Sequence, residues 1–352
     1  MKALVKTDKG QGNIEIREVP EPVLPGEDWV LIQVRAAGVC GTDLHIWHDA
    51  FPYWPPVVMG HEFSGVIEKT GSLVRNFKVG DRVVAEPHSL ACGVCEECRQ
   101  GRIQICRDKR SPGWGIDGAF ARKVAMPSFL LHRIPDGLSD ELAALAEPMA
   151  IVIHQVLERG RVEFQDVVVV TGAGPVGIMA AFAAKAAGAS RVILVGTNAG
   201  KHLRFRTARE LGIVDIVNAQ EEDTVAKVLT WTDGRGADLV VETSGAAAAI
   251  GSTVDMVRKC GRISAIGISS REMVEFPWKR AIYKVLDIVF NMSSSYTSWD
   301  RALKMLAAHP ELSRLVTRKA GLEDWEQVFR ELEEEKSVKS VFIFDSAAES
   351  TF

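Results

Sequence analysis

The sequence predicts two domains of different class: an all-β domain at the N-terminus and a doubly wound parallel α/β domain in the second half. Three observations carry this. Residues 166–177 read DVVVVTGAGPVG. Four consecutive valines suit the first strand of a parallel sheet covered by helices on both faces. From there to about Phe290, strand and helix patterns alternate. The strand candidates of the first forty residues, in contrast, have no helix pattern between them.

The valine run stops at Gly172-Ala173-Gly174-Pro175-Val176-Gly177, a G-x-G-x-x-G, and an apolar, alanine-rich run over 178–187 reads as a helix. Strand, glycine turn and helix in that order are the context that a dinucleotide fingerprint requires. Gly172 makes the tight turn, Gly174 lets the backbone approach a pyrophosphate, and Gly177 lets helix and strand pack closely. Pro175 and Val176 open the helix, whose N-terminus faces the phosphates. The bland alternative is a glycine-rich turn in some other α/β domain.

A length of 352 residues accommodates two sizeable cores. Hydrophobic content of 47% and charged content of 25% are ordinary for a globular chain. A net charge of −4 and a pI near 6.1 give no reason to expect nucleic acid or an anionic membrane as partner. No apolar run reaches the ~18 residues of a membrane span. The N-terminal MKALVKTDKG lacks the apolar core of a signal peptide, which points to the cytoplasm. There the six cysteines stay reduced, and clustered ones are metal ligands before they are disulfides.

In chain order, residues 3–5 and 14–17 are short strand candidates, and 29–35 alternates with Val30, Ile32 and Val34 on one face. Cys40-Gly41-Thr42-Asp43-Leu44-His45 follows. A lone cysteine is usually apolar filler. Two further pieces change its weight: Gly60-His61-Glu62, after an apolar strand end, and Glu147-Pro148, inside a helical pattern from 139 to about 157. Together they supply one thiol, one imidazole and two carboxylates; zinc takes such donors in roughly tetrahedral sites, and a catalytic site keeps one position for substrate or water. Cys92, Cys95, Cys98 and Cys106 follow C-x2-C-x2-C-x7-C in a lobe spanning 90–113, with Gly93, Gly101, Pro112 and Gly113. Four thiolates fit a closed structural zinc site; an iron–sulfur cluster is the alternative. Such a lobe has little apolar content, so the metal holds it folded.

Residues 118–125 return to strand. After the glycine loop, 191–195, 214–217, 239–241, 262–266 and 285–290 read as strands and 201–211, 223–229 and 246–257 as helices, six parallel strands in all with 167–170. Residues 299–308 and 324–334 read as amphipathic helices and 341–344 as a final strand, which return to the first domain. The acidic run 333–335 reads as a solvated helix face, and Cys260 as core.

These motifs, in this order and across nearly the whole chain, resemble the zinc-containing medium-chain dehydrogenase/reductase superfamily, in its polyol (sorbitol) and L-threonine dehydrogenase branch. The resemblance implies a GroES-like β domain over 1–150 and 292–352 and a Rossmann coenzyme domain over 151–291. It implies two Zn²⁺ per chain: a catalytic one on Cys40, His61, Glu147 and, directly or through water, Glu62, and a structural one on the four lobe cysteines. It implies hydride transfer between an alcohol and a nicotinamide. Thr42 passes the hydroxyl proton toward His45 and solvent; the bland readings are a helix N-cap and a surface histidine. It also implies a homodimer or homotetramer built partly across the Rossmann edge strand.

An NAD site usually carries an acid about 20 residues past the glycines. Here residues 191–195 run into Gly196-Thr197-Asn198, and Lys201, Arg204 and Arg206 follow. A 2′-phosphate meets no repulsion there, which leans toward NADP over NAD; the bland alternative is that these cations are the exposed face of the next helix. Thr243 and Ile266 fall where the family lines the nicotinamide. Polyol dehydrogenases often carry tyrosine where Ile46 stands and arginine near Ser294. The heptapeptide from Cys40 to Ile46 is closer to the threonine dehydrogenase pattern, yet no arginine for an amino-acid carboxylate stands out. Trp47, Phe51, Tyr53 and Trp54 are candidate pocket walls, with packing as the alternative for each. The expected activity is therefore oxidation of a polyol, sugar acid or related secondary alcohol, or the reverse ketone reduction. An L-threonine 3-dehydrogenase-like enzyme is the nearest alternative, and a non-catalytic NAD(P)H-binding protein is the alternative of another class.

Overall fold

In the computed structural model, which describes residues 1–344, the chain divides into two compact units: residues 1–148 with the segment from 295 onward, and residues 149–294. The sequence places these boundaries at 150 and 291 instead. Among the described residues no helix is long and apolar enough to cross a membrane.

The leading segment of the first unit carries β1 (Lys2–Lys6), β2 (Ile14–Glu18), β3 (Trp29–Gly38), β4 (Val57–Val58), β5 (Glu62–Thr70), β6 (Arg82–Ala85), β7 (Lys123–Pro127) and β8 (Leu131–Arg133). The alternation read from Val30, Ile32 and Val34 buries all three in the core, where Phe63, Ile67, Val83 and Phe120 meet them. β3 pairs antiparallel with β5, Gly38 opposite Glu62. The end of β3 therefore lies beside the beginning of β5.

The helix expected from 139 to 157 is broken. Ser139 caps a short helix Asp140–Ala143, its side chain accepting from the Leu142 N–H. A second helix spans Ala146–Val152, and Ile153–Arg159 winds as a π-helix. Pro148 is the reason: it has no N–H for the carbonyl of Ala144 and its ring clashes there, so it is accommodated only in the first turn of a new helix.

The second unit carries β9 (Val167–Thr171), β10 (Arg191–Gly196), β11 (Asp215–Asn218), β12 (Ala237–Glu242), β13 (Val257–Ala265) and β14 (Asp287–Phe290). They form one parallel sheet in the order β11-β10-β9-β12-β13-β14. Val168, Val169 and Val170 are fully buried at its centre, as the apolar run requires. Register sets Thr171 beside Val195 on one side and Glu242 on the other, so the loops that follow β9, β10 and β12 leave the same edge. Cys260 departs from expectation. It is exposed, at φ +53° in an irregular stretch of β13.

The chain then returns to the first unit with the helix Tyr296–Ala308, β15 (Val316–Ala320), the helix Trp325–Glu333 and β16 (Lys339–Ile343). β16 pairs antiparallel with β3, Val341 opposite Gly38. The seven-stranded sheet runs β15-β16-β3-β5-β6-β8, with β7 also on β3. Trp47 packs edge-on against Trp325 and Phe329, which docks the returning helix. Glu333 ends that helix, exposed and paired with His48; Glu334 is exposed just beyond it, and Glu335 is half-buried in the following turn.

One buried carboxylate ties the start of the parallel sheet together. Asp238 receives two hydrogen bonds from Arg235 (2.7 and 2.8 Å), one from Arg258 (2.6 Å) and one from the Val167 N–H (2.8 Å). Burial opposes its charge, but Arg235, Val167 and Arg258 together hold the carboxyl well below its usual range. A depressed folded-state pKa contributes stability above the unfolded value of ~3.9 and loses it as pH falls below. Asp238→Asn leaves two guanidinium groups without their anion and is expected to cost about 2–4 kcal/mol in urea unfolding at pH 7. The loss relative to wild type shrinks in the same measurement at progressively lower pH.

Candidate active site

Cys40 follows β3 and occupies the N-cap of the helix Gly41–Trp47, so the capping role open to Thr42 belongs to Cys40 instead. The Cys40 N–H donates to Asp43 Oδ2 at 2.8 Å, fixing the cap. Gly60 precedes β5 at φ +90°, where a Cβ would lie 2.4 Å from the Phe120 ring; glycine permits the turn that delivers His61. Because β3 ends where β5 begins, Cys40, His61 and Glu62 offer ligand atoms that all lie within 4.8 Å of one another. His61 and Glu62 are buried.

The polar atoms around this point fit a bound cation. His61 Nδ1 and Asp43 Oδ1 are buried 3.9 Å apart, and neither has a hydrogen-bond partner. Orphaned buried groups of this kind call for an explanation, and a cation on the cluster supplies one. Burial, and then the Glu62 charge, push the Cys40 thiol far above its ordinary value. Burial pushes Asp43 up to about 6 and Glu147 up to about 7, with His61 opposing both. Several acids crowded into one dry place favour a divalent ion, which reverses these shifts. Glu147 is buried on the helix Ala146–Val152, within electrostatic reach of His61 and Glu62, but outside the 4.8 Å cluster. Thr42 Oγ1 lies 3.7 Å from Cys40 Sγ, and His45 is exposed on the same helix.

Cys92, Cys95, Cys98 and Cys106 form a second cluster within 4.8 Å. The sulfurs of Cys92 and Cys106 are 3.7 Å apart, and the Cys95 N–H donates to Cys92 Sγ at 3.3 Å. Four thiolates on one tetrahedral ion with ~2.3 Å bonds stand ~3.8 Å apart, so this spacing suits a single metal. N–H groups of Cys92 and Asp108 overcome the burial of Cys106 and bring its thiol down to about 7.

In the second unit the three glycines behave differently from one another. Gly172 has φ +103°; a Cβ on Gly177 would fall 1.7 Å from the Gly172 carbonyl oxygen; Gly174 has open space around it and caps the helix Pro175–Ala186, with Pro175 in its first turn. Turn, close packing and open approach are thus divided among them as a phosphate cradle requires.

The comparisons agree with this geometry. Residues 26–136 match the alcohol dehydrogenase GroES-like domain, and 175–308 match the zinc-binding dehydrogenase family. The chain is 36% identical to the sorbitol dehydrogenase of Halalkalibacterium halodurans over 96% of its own length and 98% of that protein's. It is 35% identical to the L-threonine 3-dehydrogenase of Rhizobium johnstonii, covering 97% and 98%. This chain belongs to the zinc-containing medium-chain dehydrogenase/reductase superfamily. A solved zinc-binding dehydrogenase from Sinorhizobium meliloti, bound to NADP, superposes with a TM-score of 0.89 at 30% identity, covering 97% of this chain and 99% of that one. As a member of the superfamily, the protein is an oxidoreductase of the alcohol and polyol dehydrogenase kind.

Several expected residues make contacts of their own. The Thr243 hydroxyl donates to the carbonyls of Thr171 (2.7 Å) and Gly172 (3.1 Å), so it pins the glycine turn. Ile266 donates its N–H to the Glu242 carbonyl at 2.8 Å. Gly196 is packed between Phe205 and Ala173, and Thr197 is exposed just beyond it. Lys201 is paired with Glu221 at 2.5 Å, and Arg204 opens the helix Arg204–Glu210. Ile46, Tyr53 and Trp47 belong to the core, and Trp54 stacks on Arg110.

Others were not anticipated. Trp114 stands edge-on to His61 (4.9 Å between centroids), with Phe51 against it (5.4 Å), so the aromatic wall of the metal cluster comes from the loop after the cysteine lobe. Glu242 is buried and accepts from the N–H groups of Ser244 (2.8 Å) and Gly245 (3.1 Å), shaping the loop opposite Gly172. Lys339 is buried with its Nζ 2.7 Å from Glu62 Oε1. None of the three stands in a spacing that a sequence motif records.

Cys98→Ser takes one sulfur from the cluster and is expected to open residues 90–113 to proteolysis, with mass spectrometry locating the first cleavages there. Chelation of the wild type at neutral pH is expected to expose the same sites.

Proposed function

We propose that the chain is a zinc-dependent dehydrogenase that transfers a hydride between a secondary alcohol (a polyol, sugar acid or related hydroxy compound) and NAD(P). The convergence of Cys40, His61 and Glu62 from the facing ends of two paired strands is the observation that carries this reading. Zinc is proposed for both clusters: Cys40, His61, Glu62 and Glu147 hold the catalytic ion, and the four cysteines hold the structural one. When bound, zinc supplies Lewis acidity at the substrate oxygen and the nicotinamide accepts or returns the hydride.

The chain's own residues do the rest. Asp43 faces His61 Nδ1 from 3.9 Å, beyond hydrogen-bond length, and so acts on the ring through its charge. Thr42, beside Cys40, takes the hydroxyl proton during oxidation, and His45, exposed on the same helix, delivers it to solvent. The reaction balances as alcohol plus NAD(P)⁺ giving ketone, NAD(P)H and one proton. Trp114 and Phe51 give the substrate an apolar wall and exclude water.

NADP is the proposed coenzyme. Gly172, Gly174, Pro175, Val176 and Gly177 cradle the pyrophosphate, with Gly196, Thr197, Thr243 and Ile266 along the same edge of the sheet. No carboxylate ends β10, and Lys201 is held only by an exposed ion pair, worth ~0–1 kcal/mol, which a 2′-phosphate can displace. Arg204 is the second proposed partner for that phosphate. A homo-oligomer is proposed through the open edge of β14, where Val285, Phe290 and Met292 are exposed. The cytoplasm is the proposed compartment, where reduced thiols remain available to metal. L-Threonine is kept as the second substrate reading because of the run from Cys40 to Ile46 and the 35% identity to a threonine dehydrogenase.

The test is a panel of polyols, sugar acids, amino alcohols and L-threonine with NAD⁺ and NADP⁺ side by side, read by absorbance of the reduced coenzyme. A polyol or hydroxy acid with NADP⁺ is the expected best pair. Cys40→Ser is expected to lower turnover by at least ~10²-fold while melting temperature stays near wild type, since activity rests on the metal and folding of this unit does not. Metal and coenzyme binding without turnover of any panel member would leave only the non-catalytic reading.

A further inference from the structure

The ion pair between Lys339 and Glu62 lies at the heart of the first unit, and the reaction gives its lysine no role. Both side chains are buried, 3% and 0% exposed. The lysine Nζ donates to Glu62 Oε1 at 2.7 Å and lies 2.5 Å from Oε2, which it meets as an ion pair but does not hydrogen-bond. Space for the pair is made by Gly38: a Cβ there would stand 2.3 Å from Glu62 Oε2 and 3.3 Å from Lys339 Cε. Three neighbouring strands build the arrangement, since β3 has β5 on one side and β16 on the other. Yet Glu62 is also one of the three residues whose ligand atoms cluster within 4.8 Å. Its carboxylate thus faces two claimants, a fixed ammonium and a divalent ion.

We infer that Lys339 is a positioning residue that holds Glu62 partly away from the catalytic metal and thereby sets how fast that metal is released. Any oxygen that Glu62 gives to the ion is shared with, or taken from, the lysine. The ammonium also places a positive charge beside a dication, which weakens the ion's hold electrostatically. Both effects act in the same direction. Removing the lysine charge frees an anionic ligand and removes a repulsion, so the metal is retained longer. A lysine that served only to neutralise Glu62 for folding gives the opposite sign: its loss loosens the strands and lets the metal escape faster.

The inference rests on the reading of Cys40, His61 and Glu62 as a metal centre, and the experiment separates the two. Zinc release from the full-length holoprotein to a chromophoric chelator is followed over time, and the phase missing in Cys40→Ser is assigned to this centre. Lys339→Met is expected to slow that phase by at least ~10-fold, the scale of outer-shell changes at metal sites, whereas Lys339→Arg stays within a few-fold of wild type. Glu62→Gln, which leaves the ammonium unpaired beside the ion, is expected to accelerate release by ~10-fold or more. Adding Lys339→Met to Glu62→Gln reverses most of that acceleration. Cobalt-substituted Lys339→Met is expected to show a changed visible d–d spectrum, which a purely structural role does not produce.

A folded Lys339→Met that releases zinc as fast as wild type, or faster, overturns the inference. If Lys339→Met does not fold, Glu62→Gln decides: release no faster than wild type overturns it. If wild type yields a single zinc per chain and Cys40→Ser removes no phase, the metal-centre reading itself falls, whatever Lys339 does.

Discussion

The antiparallel pairing that sets Gly38 opposite Glu62 is the constraint on which the first unit's chemistry depends. A strand pair has one place where the end of one member meets the beginning of the other. Here Cys40 hangs just beyond β3 and His61 just before β5, so two distant stretches of sequence become neighbours without a long loop having to hold either one. Backbone hydrogen bonds of the ladder do the positioning, and the candidate ligands inherit their precision. A one-residue slip would turn Glu62 to the other face of the sheet and dissolve the cluster.

The second unit solves a different problem with a different device. Its parallel sheet aligns every strand's C-terminal end, so loops from β9, β10 and β12 gather along one edge. Glycine lets them approach: the Gly172 turn accepts from the Thr243 hydroxyl, and a side chain on Gly177 would collide with the turn's own carbonyl. Buried Glu242 then binds the N–H groups of Ser244 and Gly245, which keeps the facing loop in shape before any coenzyme arrives. Rigid loops of this kind reduce the ordering cost of binding.

The sequence made legible whatever is written in local spacing. Four valines, three glycines and a proline specify a strand, a turn and a helix start; four cysteines at short intervals specify a lobe. Alternation at Val30, Ile32 and Val34 marked a core face correctly. What escaped was written in tertiary contact. Trp114 meets His61 across 53 residues of chain, and Lys339 meets Glu62 across 277. A tryptophan in a glycine-rich loop and a lysine in a C-terminal strand look like any others until the strands are paired. The helix drawn over 139–157 failed for a local reason that was visible: Pro148 cannot sit mid-helix without breaking it. Apolar periodicity continued through the break because both helices bury the same kind of face, so the period outweighed the breaker. Cys260 failed the other way. Its hydrophobicity suggested core, but an irregularity in β13 turns it to solvent.

The returning segment has a structural purpose that its position in the sequence hides. β16 completes the sheet beside β3, and the helix Trp325–Glu333 docks on Trp47, so the last part of the chain closes the core of the first. A separate C-terminal domain would achieve neither. Because β16 lies against the strand that delivers Cys40, the return also brings a buried cation to the one spot where Cys40, Asp43, Glu62 and Glu147 crowd together. Burial alone disfavours the lysine charge, yet the Glu62 carboxylate more than offsets it and holds the lysine above its ordinary pKa, so the ammonium persists. A buried charge pair is a poor source of stability compared with apolar packing of the same volume. Its retention at the junction of three strands therefore makes more sense as part of a metal centre's electrostatics than as a fastening for the sheet, which the apolar contacts of Phe63, Phe120 and Phe342 already supply.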